Sequence, residues 1–486
     1  MKVLRFIGLL VLVLLPLGAE AQEVKTGEIT THKNTYEQLL ESYTASDRQL
    51  KELALSYEQA ELSYSKVLIQ NRTSWSLSSG SMNAKIAETS TSVSVSPSAS
   101  VSLPSLNNSQ VKISSPLSIT LNGEKPSLSV NGAGVSFETD IVSSADEKRS
   151  LTLIKAQRSL EEAQRRLEAR KLGIEKEFLS ALKSLYNAKL TLISKQDTLI
   201  SRERDLESLL AQGFDSSSAR YRTALLSRQT ALRDAEVQER SFEKALLNFA
   251  HKCSLETIEL DFDLPRAALV SMTSFKKEQY KELEGSTWTH YVNSLSRDAV
   301  SPLTITADAG YALAYKEIMG EGEITNTVST GLSLKYNGLN LSAGVQLPVE
   351  NIKNPAVSLS LSWSPSEKKL ASISDQENAL AVQQEILAIE SSIDSFENTV
   401  SDKDKTREDL VWQMEKNIEQ ATMYKDLADD MKAWYEKGVI ALSDYNQAVT
   451  NYENALVQIK ITQIDQLLYD IETASLFVDQ ELVQEK

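Results

Sequence analysis

Large apolar residues recur every seven positions along one long stretch of the chain, between residues 146 and 212. The stretch contains no proline, and its seven-residue spacing is shifted once, by a step of four between Ile174 and Phe178. Heptad spacing predicts a coiled-coil helix, and a four-residue step is a stutter that locally unwinds the supercoil. At 1.5 Å per residue, this helix spans roughly 100 Å. The positions are Leu160, Leu167, Ile174, Phe178, Leu185, Leu192, Leu199 and Leu206.

The same order of segments occurs twice. A helical run over 35–70 and a shorter one over 274–296 each precede a serine-rich block, and each block precedes a long helix, the second one over 367–436. Each long helix ends in a short glycine-containing tip, at 212–218 and 437–443, and a further helix follows, over 219–249 and 444–479. Gly213 and Gly438 are 225 positions apart, as are Ser218 and Ser443. We therefore predict a tandem duplication, with a first repeat over 22–250 and a second over 251–486.

The serine-rich blocks, at 72–140 and 302–365, alternate apolar and small polar residues with a period of two. This alternation predicts about four strands in each half, and a disordered serine-rich linker is the alternative. β-branched residues at alternate positions favour strands. Pro97, Pro104 and Pro116 interrupt the first block and predict turns. One apolar face and one small polar face suit a strand between lipid and an aqueous lumen.

The N-terminus predicts export from the cytoplasm. Lys2 and Arg5 precede an apolar run over 6–17, and small residues follow at Ala19 and Ala21. This order is typical of a cleaved signal peptide over 1–21, and the run is shorter than a spanning helix requires.

Composition excludes several kinds of function. The formal net charge is −16, which argues against nucleic acid as the main partner. Three scattered histidines and one cysteine predict no metal centre, and no phosphate-binding loop or catalytic motif occurs. We therefore expect no cofactor and no enzymatic activity.

The predicted elements need partners. Antiparallel strands cannot leave open edges in lipid, so a few strands per chain must close a barrel shared among subunits. The predicted fold class is α+β, predominantly α, with antiparallel coiled-coil hairpins and membrane strands. A cyclic oligomer would have a β-barrel at one end and a helical tube at the other.

The two tips carry a resemblance to a known family. The segments LAQGFDSSSARYRTALLSRQTALRDAEV (210–237) and WYEKGVIALSDYNQAVTNYENALVQI (434–459) resemble the TolC-like outer-membrane efflux proteins. The resemblance implies a homotrimer with a 12-stranded barrel in the bacterial outer membrane and a helical tunnel in the periplasm. It also implies a passive exit duct of a tripartite efflux or type I secretion system, partnered by a periplasmic adaptor and an inner-membrane pump.

The resemblance also assigns candidate gate residues at the tips. Asp444 matches the first carboxylate of a ring that narrows the periplasmic entrance, while Gln447 stands where the family has the second. Tyr435 matches a latch tyrosine, although its basic partner position is occupied here by Ile440. Asp444 also fits an ordinary acidic residue in a first helical turn.

The remaining candidates at the tips are Gly213, Gly438, Ser218 and Ser443. Both glycines fit helix C-termini, and Ser218 fits the start of the following helix. An alternative function is a secreted periplasmic coiled-coil structural or adaptor protein without membrane-spanning strands.

Overall fold

The computed structural model describes residues 35–86, 90–122, 125–260, 262–318, 321–350 and 354–477. The predicted signal peptide lies outside them. The described chain is mostly helical with one antiparallel sheet, as the sequence predicts. Its helices are α1 (Tyr36–Ala45), α2 (Arg48–Gln70), α3 (Ala145–Ala211), α4 (Ala219–Lys252), α5 (Lys281–Asp298), α6 (Pro365–Glu436) and α7 (Leu442–Ala474).

Two very long helices run the length of the helical part. Helix α3 has 67 residues and α6 has 72, and α6 begins with a proline at its first turn, where no backbone N–H is needed. Helices α4 and α7 fold back along them. Helix α3 packs against α2, α4 and α7, and α6 packs against α5 and α7. The long hairpins therefore form one layer in the order α4, α3, α7, α6.

The main core lies where α1, α3, α4 and α7 meet. Phe178 is fully buried, and its ring contacts those of Tyr36 and Tyr43 edge-on at centroid distances of 5.5 and 5.6 Å. Phe249 of α4 closes the cluster from the other side at 5.6 Å. The heptad residue that follows the predicted stutter is thus the centre of the core.

The predicted helical run over 35–70 is two helices rather than one. Asp47 caps α2, because its side chain accepts a hydrogen bond from the Leu50 N–H at 2.6 Å. The Arg170 guanidinium lies 2.6 Å from the same carboxylate and lowers the pKa of Asp47. An aspartate that bonds the backbone in this way starts a new helix, and apolar spacing alone does not reveal the break.

The predicted helix over 274–296 also begins later, at Lys281, after two short 3₁₀ turns at Met272–Ser274 and Lys277–Gln279. Packing against Phe477, which follows α7, explains the shift. The ring of Phe275 stacks on Phe477 with centroids 4.0 Å apart, and Tyr280 bridges to the Phe477 backbone. Helix α7 ends at Ala474, earlier than the predicted 479, because residues 475–477 turn into this second cluster.

The sheet has eleven strands within the described residues. The prediction of about four strands per half is wrong for the first half, which contains seven. Pro104 lies in a turn, as predicted, whereas Pro97 and Pro116 lie in short interruptions between strands, where the sequence predicts turns. The strands are β1 (Ser74–Ser78), β2 (Met82–Ile86), β3 (Ser90–Val95), β4 (Ser98–Leu103), β5 (Ser109–Ser114), β6 (Leu117–Asn122), β7 (Lys125–Val142), β8 (Leu303–Ile318), β9 (Glu321–Tyr336), β10 (Leu339–Pro348) and β11 (Ala356–Trp363).

The sheet is open. Its main path runs β1-β4-β5-β7-β8-β9-β10-β11, while β2, β3 and β6 extend it beside β7. Every pairing in it is antiparallel. Strands β7 and β8 join the two halves of the chain. Among the described helices, none is both long enough and apolar enough to cross a membrane.

A partly buried carboxylate fixes α5 to α6. The Glu385 side chain lies 2.8 Å from His290 Nδ1 and accepts a hydrogen bond from Asn293 Nδ2, also at 2.8 Å. The Arg297 guanidinium pairs with the same carboxylate. Arg297, with the hydrogen bonds from His290 and Asn293, lowers the pKa of Glu385 to about 2.

We predict that this cluster makes stability acid-sensitive. A carboxylate whose pKa is lower in the folded state stabilises it fully above the unfolded pKa and loses that contribution as pH falls towards the folded value. The window here runs from about pH 4.5 down to about 2. Thermal unfolding should therefore show the wild type well above Glu385→Gln at pH 5, with the gap smaller at pH 3 and closing only towards pH 2. Glu377→Gln, at an exposed position of α6, is the control, and a gap that is constant with pH would contradict the prediction.

Candidate functional site at the helical tips

Both tips turn through a glycine in the left-handed region. Gly213 has φ +84° and Gly438 has φ +70°. In each tip the N–H after the glycine donates to a carbonyl five residues back, Phe214 to Leu209 at 3.0 Å and Val439 to Trp434 at 2.9 Å. This 6→1 bond is the mark of a Schellman C-cap. The two glycines predicted as C-caps occupy that position.

The helices that leave the two tips begin differently. Ser218 occupies the N-cap of α4 with an extended backbone, but its hydroxyl makes no capping bond. Ser443 is the second residue of α7, whose N-cap is Ala441, so its match to Ser218 in sequence is not a match in structure. The buried Ser443 hydroxyl instead donates to Glu207 of α3 at 3.4 Å.

Three side chains of α7 contact α3 at this end of the molecule, and we call these contacts the tip ladder. The ladder consists of Ser443 with Glu207, Asp444 with Arg204, and Gln447 with Asp197. The Asp444 carboxylate lies 2.6 Å from Arg204 Nη2, and the Gln447 amide donates to the Asp197 carboxylate. Each predicted tip residue on α7 therefore has a partner on α3.

The same α3–α7 pairing continues away from the tip. Lys183 lies 2.5 Å from Asp465, and Lys176 lies 3.0 Å from Glu472. The α3 positions 176, 183, 197 and 204 are separated by multiples of seven. The heptad spacing predicted for α3 could have indicated these charged residues, because they recur at the same spacing as its apolar positions. It could not identify the α7 residues that contact them.

Asp444 is a first-turn acid, as one of the two sequence interpretations required. There it interacts favourably with the positive end of the α7 dipole. Its side chain is 40% exposed and that of Arg204 is 47% exposed, so solvent screens the pair strongly. The pair therefore fixes geometry more than it contributes to stability.

Tyr435 packs within its own hairpin. Its ring stacks on Tyr445 with centroids 5.8 Å apart and planes 9° apart. The stack joins the last turn of α6 to the first turn of α7 and so holds the second tip closed on itself. The latch role suggested for Tyr435 stays a prediction.

The described residues offer no group of three or more histidine, cysteine, aspartate or glutamate side chains able to hold a metal ion. The single cysteine, Cys253, is fully buried, and burial raises the pKa of its thiol to about 11.

The chain is similar to two known structures of outer membrane proteins. The outer membrane protein VceC of Vibrio cholerae matches with a TM-score of 0.50, over 90% of this chain and 95% of that chain, at 11% identity. The CmeC outer membrane channel of Campylobacter jejuni matches with a TM-score of 0.47, over 96% and 94%, at 12% identity. The VceC match shows that the chain has the fold of a TolC-like outer membrane channel protein.

Two sequence families match most of the chain. Residues 39–272 match the TP096X N-terminal domain, and residues 265–480 match the TP096X C-terminal domain. The chain therefore carries both TP096X domains, one after the other. An uncharacterized protein of Treponema pallidum (strain Nichols) is 21% identical over 277 residues, which are 56% of this chain and 51% of that protein. The match thus spans about half of the length of that relative.

We predict that both tip glycines are required for their backbone and not for space. A Cβ at either position would meet nothing within 4 Å, but a non-glycine residue in the left-handed region costs about 1–2 kcal/mol. Gly213→Ala and Gly438→Ala should each lower the unfolding midpoint in denaturant, while Gly→Asn at the same positions should cost less. Gly285→Ala is the matched control in helix α5, where space is also free and alanine is favoured by about 1 kcal/mol. Equal effects at all three positions would contradict the prediction.

Proposed function

We propose that the chain is one subunit of a passive, homotrimeric exit duct in the bacterial outer membrane, with its helical part in the periplasm. The observation that carries the proposal is that one face of the sheet and both edges of the helical layer expose apolar side chains, which no other described part of the chain covers. The resemblance to efflux proteins and the VceC fold support the same function. A periplasmic adaptor and an inner-membrane pump are the expected partners, and the two repeats, 22–250 and 251–486, each contribute one hairpin.

The helical layer has an apolar seam along each edge. On one edge, Leu55, Leu62 and Ile69 of α2 lie seven residues apart and are all more than 60% exposed. On the other edge, α6 exposes apolar residues with the same spacing. They are Ile373, Leu380 and Leu387, then Val411 and Ile418, then Leu427 and Trp434. Heptad seams of this kind are buried by a neighbouring helix.

Charge favours joining the two edges to each other. Helix α4 continues the α2 edge beside the C-terminal part of α3. It has seven basic and four acidic residues. The part of α6 over 403–436 has nine acidic and six basic residues. Opposite net charges on two surfaces favour their association and fix its orientation. A second copy of the chain therefore fits each edge, which is the condition for a closed ring.

The sheet end fits a membrane. On β11, Val357, Leu359 and Leu361 share one face and are about 70% exposed, while serines alternate with them on the other face. Apolar residues on a face of this size are costly in water and favourable against lipid. The proposed duct therefore spans the outer membrane with its sheet and reaches into the periplasm with its helices.

The tip ladder supports a gate at the periplasmic end. It ties α3 of the first hairpin to α7 of the second, so the two tips cannot part while it is intact. We propose that opening separates Asp444 from Arg204, and that the freed carboxylates of three chains then line a cation-attracting entrance. The stacked Tyr435 and Tyr445 keep the second tip rigid as it moves.

The function predicts pores. Mature protein extracted from outer membranes and added to a planar lipid bilayer should give discrete conductance steps, because a closed barrel encloses water. The protein should also fractionate with the outer membrane in vivo. A soluble monomer that never fractionates with that membrane and gives no conductance would contradict the proposal and favour a periplasmic structural or adaptor protein.

The gate can be locked chemically. Arg204→Cys with Asp444→Cys, bridged by a cleavable bis-maleimide, should hold α3 and α7 together and lower the conductance, and cleavage of the linker should restore it. The native Cys253 is fully buried, so it should not react. Lys183→Cys with Asp465→Cys is the matched control, since this pair joins the same helices away from the tip. In parallel, Asp444→Asn should reduce cation preference.

Full conductance in the bridged tip variant would contradict the gate. So would a control pair that blocks current as strongly as the tip pair, because the effect would then not belong to the tip. Unchanged ion preference in Asp444→Asn would leave Asp444 as a first-turn acid only.

A further inference from the structure

The eleven strands lie on eight antiparallel tracks. Strands β1 and β2 follow one another along the first track, since β1 pairs with β4 and β2 pairs with β3. Strands β3 and β4 form the second track and β5 and β6 the third, because β3 pairs with β6 and β4 pairs with β5. Strands β7 to β11 are one track each.

The interruptions of the first tracks lie side by side. Residues 79–81 are opposite 96–97, because Ser78 pairs with Ser98 and Met82 with Val95. Residues 96–97 are in turn opposite 115–116, and the Ser115 N–H donates to the Pro97 carbonyl at 3.0 Å. Beside them, the register of β7 on β8 shifts between Val130 and Ala133. Four neighbouring tracks are therefore interrupted along one line and remain a single sheet.

One face of this sheet carries an apolar row that crosses all eight tracks and is interrupted by a single threonine. Residues directly opposite one another in an antiparallel sheet share a face. Following the register from edge to edge gives the row Trp75, Val101, Val111, Phe137, Ala309, Thr330, Val345 and Val357. The adjacent row on the other face is Ser76, Ser100, Lys112, Ser136, Gly310, Ser329, Gln346 and Ala356. The apolar face is therefore continuous over all eight tracks.

The two edges of the sheet fit each other in a second copy. Within the described residues, β1 pairs only with β4 and β11 pairs only with β10. Eight is an even number of alternating tracks, so β11 of one chain runs antiparallel to β1 of the next. In hydrocarbon, each backbone group left open at these edges would cost several kcal/mol. A neighbouring chain that pairs β1 with β11 removes both edges at once.

We infer that each chain contributes eight strands to the barrel wall, so that three chains close a barrel of 24 strands rather than 12. This inference rests on the proposed function. With strands about 4.8 Å apart and tilted by about 40°, each strand occupies roughly 6 Å of the circumference. A barrel of 24 strands is then about 48 Å across between backbones, against about 24 Å for 12.

The wider barrel moves the restriction on cargo. The polar rows that face the lumen consist mainly of serine, glycine and threonine, which leave most of this width free. A lumen of this size exceeds the roughly 30 Å of a small folded domain. The outlet therefore admits polypeptides as well as small molecules, and the helical tips alone limit what passes.

Cysteine pairs across the proposed β1–β11 contact test the inference in the full chain and in native membranes. Ser76→Cys is combined in turn with Ser358→Cys, Ser360→Cys and Ser362→Cys, all small polar positions on the lumen face. Oxidation should link at least one pair between chains and give dimer and trimer bands on a denaturing gel. Ser76→Cys with Ser342→Cys is the matched control, one strand further in, and should give none.

A strand count by electron cryomicroscopy of the wild type in lipid nanodiscs serves if the variants fail to fold. We expect 24 strands. A trimer that conducts but has 12 strands, or whose β1–β11 pairs never link, would overturn this inference and leave the duct intact. A protein that neither forms trimers nor conducts would instead overturn the proposed function.

Discussion

Among the described residues, the outer backbone groups of β1 and β11 pair with no other strand, and this sets the condition that the rest of the structure must meet. A sheet with one apolar face can lie in lipid only when its edges are closed, and within this chain the edges are far apart because six tracks lie between them. The helical layer repeats the problem, with apolar seams on α2 and α6 at opposite sides. One cyclic arrangement of identical chains satisfies both ends of the molecule at once.

Helix α3 connects the sheet to the helical tips at the other end of the molecule. It begins directly after β7, the strand that joins the two halves of the sheet, and its other end makes the tip ladder with α7. Its buried centre at Phe178 fixes α1 and α4 upon it. Movement at the tips is therefore resisted by polar contacts that solvent weakens. The middle of α3 is instead fixed by a buried aromatic cluster.

Periodicity predicted the long elements well. The heptads of α3 and the glycines of the tips located the hairpins to within a few residues. In a helix of 67 residues the periodic pattern is long enough to be unambiguous. The failures occurred where one side chain decides the backbone. Asp47 splits α1 from α2 by capping, and Phe477 displaces the start of α5 by packing from the far end of the chain. Neither effect has a periodic signature.

The sheet and the tip show a different limit. Alternation predicted strands. That the interruptions at serine and proline lie side by side in neighbouring tracks could be recognised only once the strand register was known. Asp444, Gln447 and Ser443 were found from the tip motif, whereas Arg204, Asp197 and Glu207 lie about 240 positions earlier and carry no motif. Partners of that kind follow from packing and not from local sequence.

The proposed duct requires that three copies of this chain form one closed ring. Native mass spectrometry of the complex released from outer membranes in mild detergent tests it most directly, because it counts subunits without reference to any fold. We expect a single species with the mass of three mature chains, each slightly below the 53.9 kDa of the full sequence. A population made only of single chains under the same conditions would contradict it.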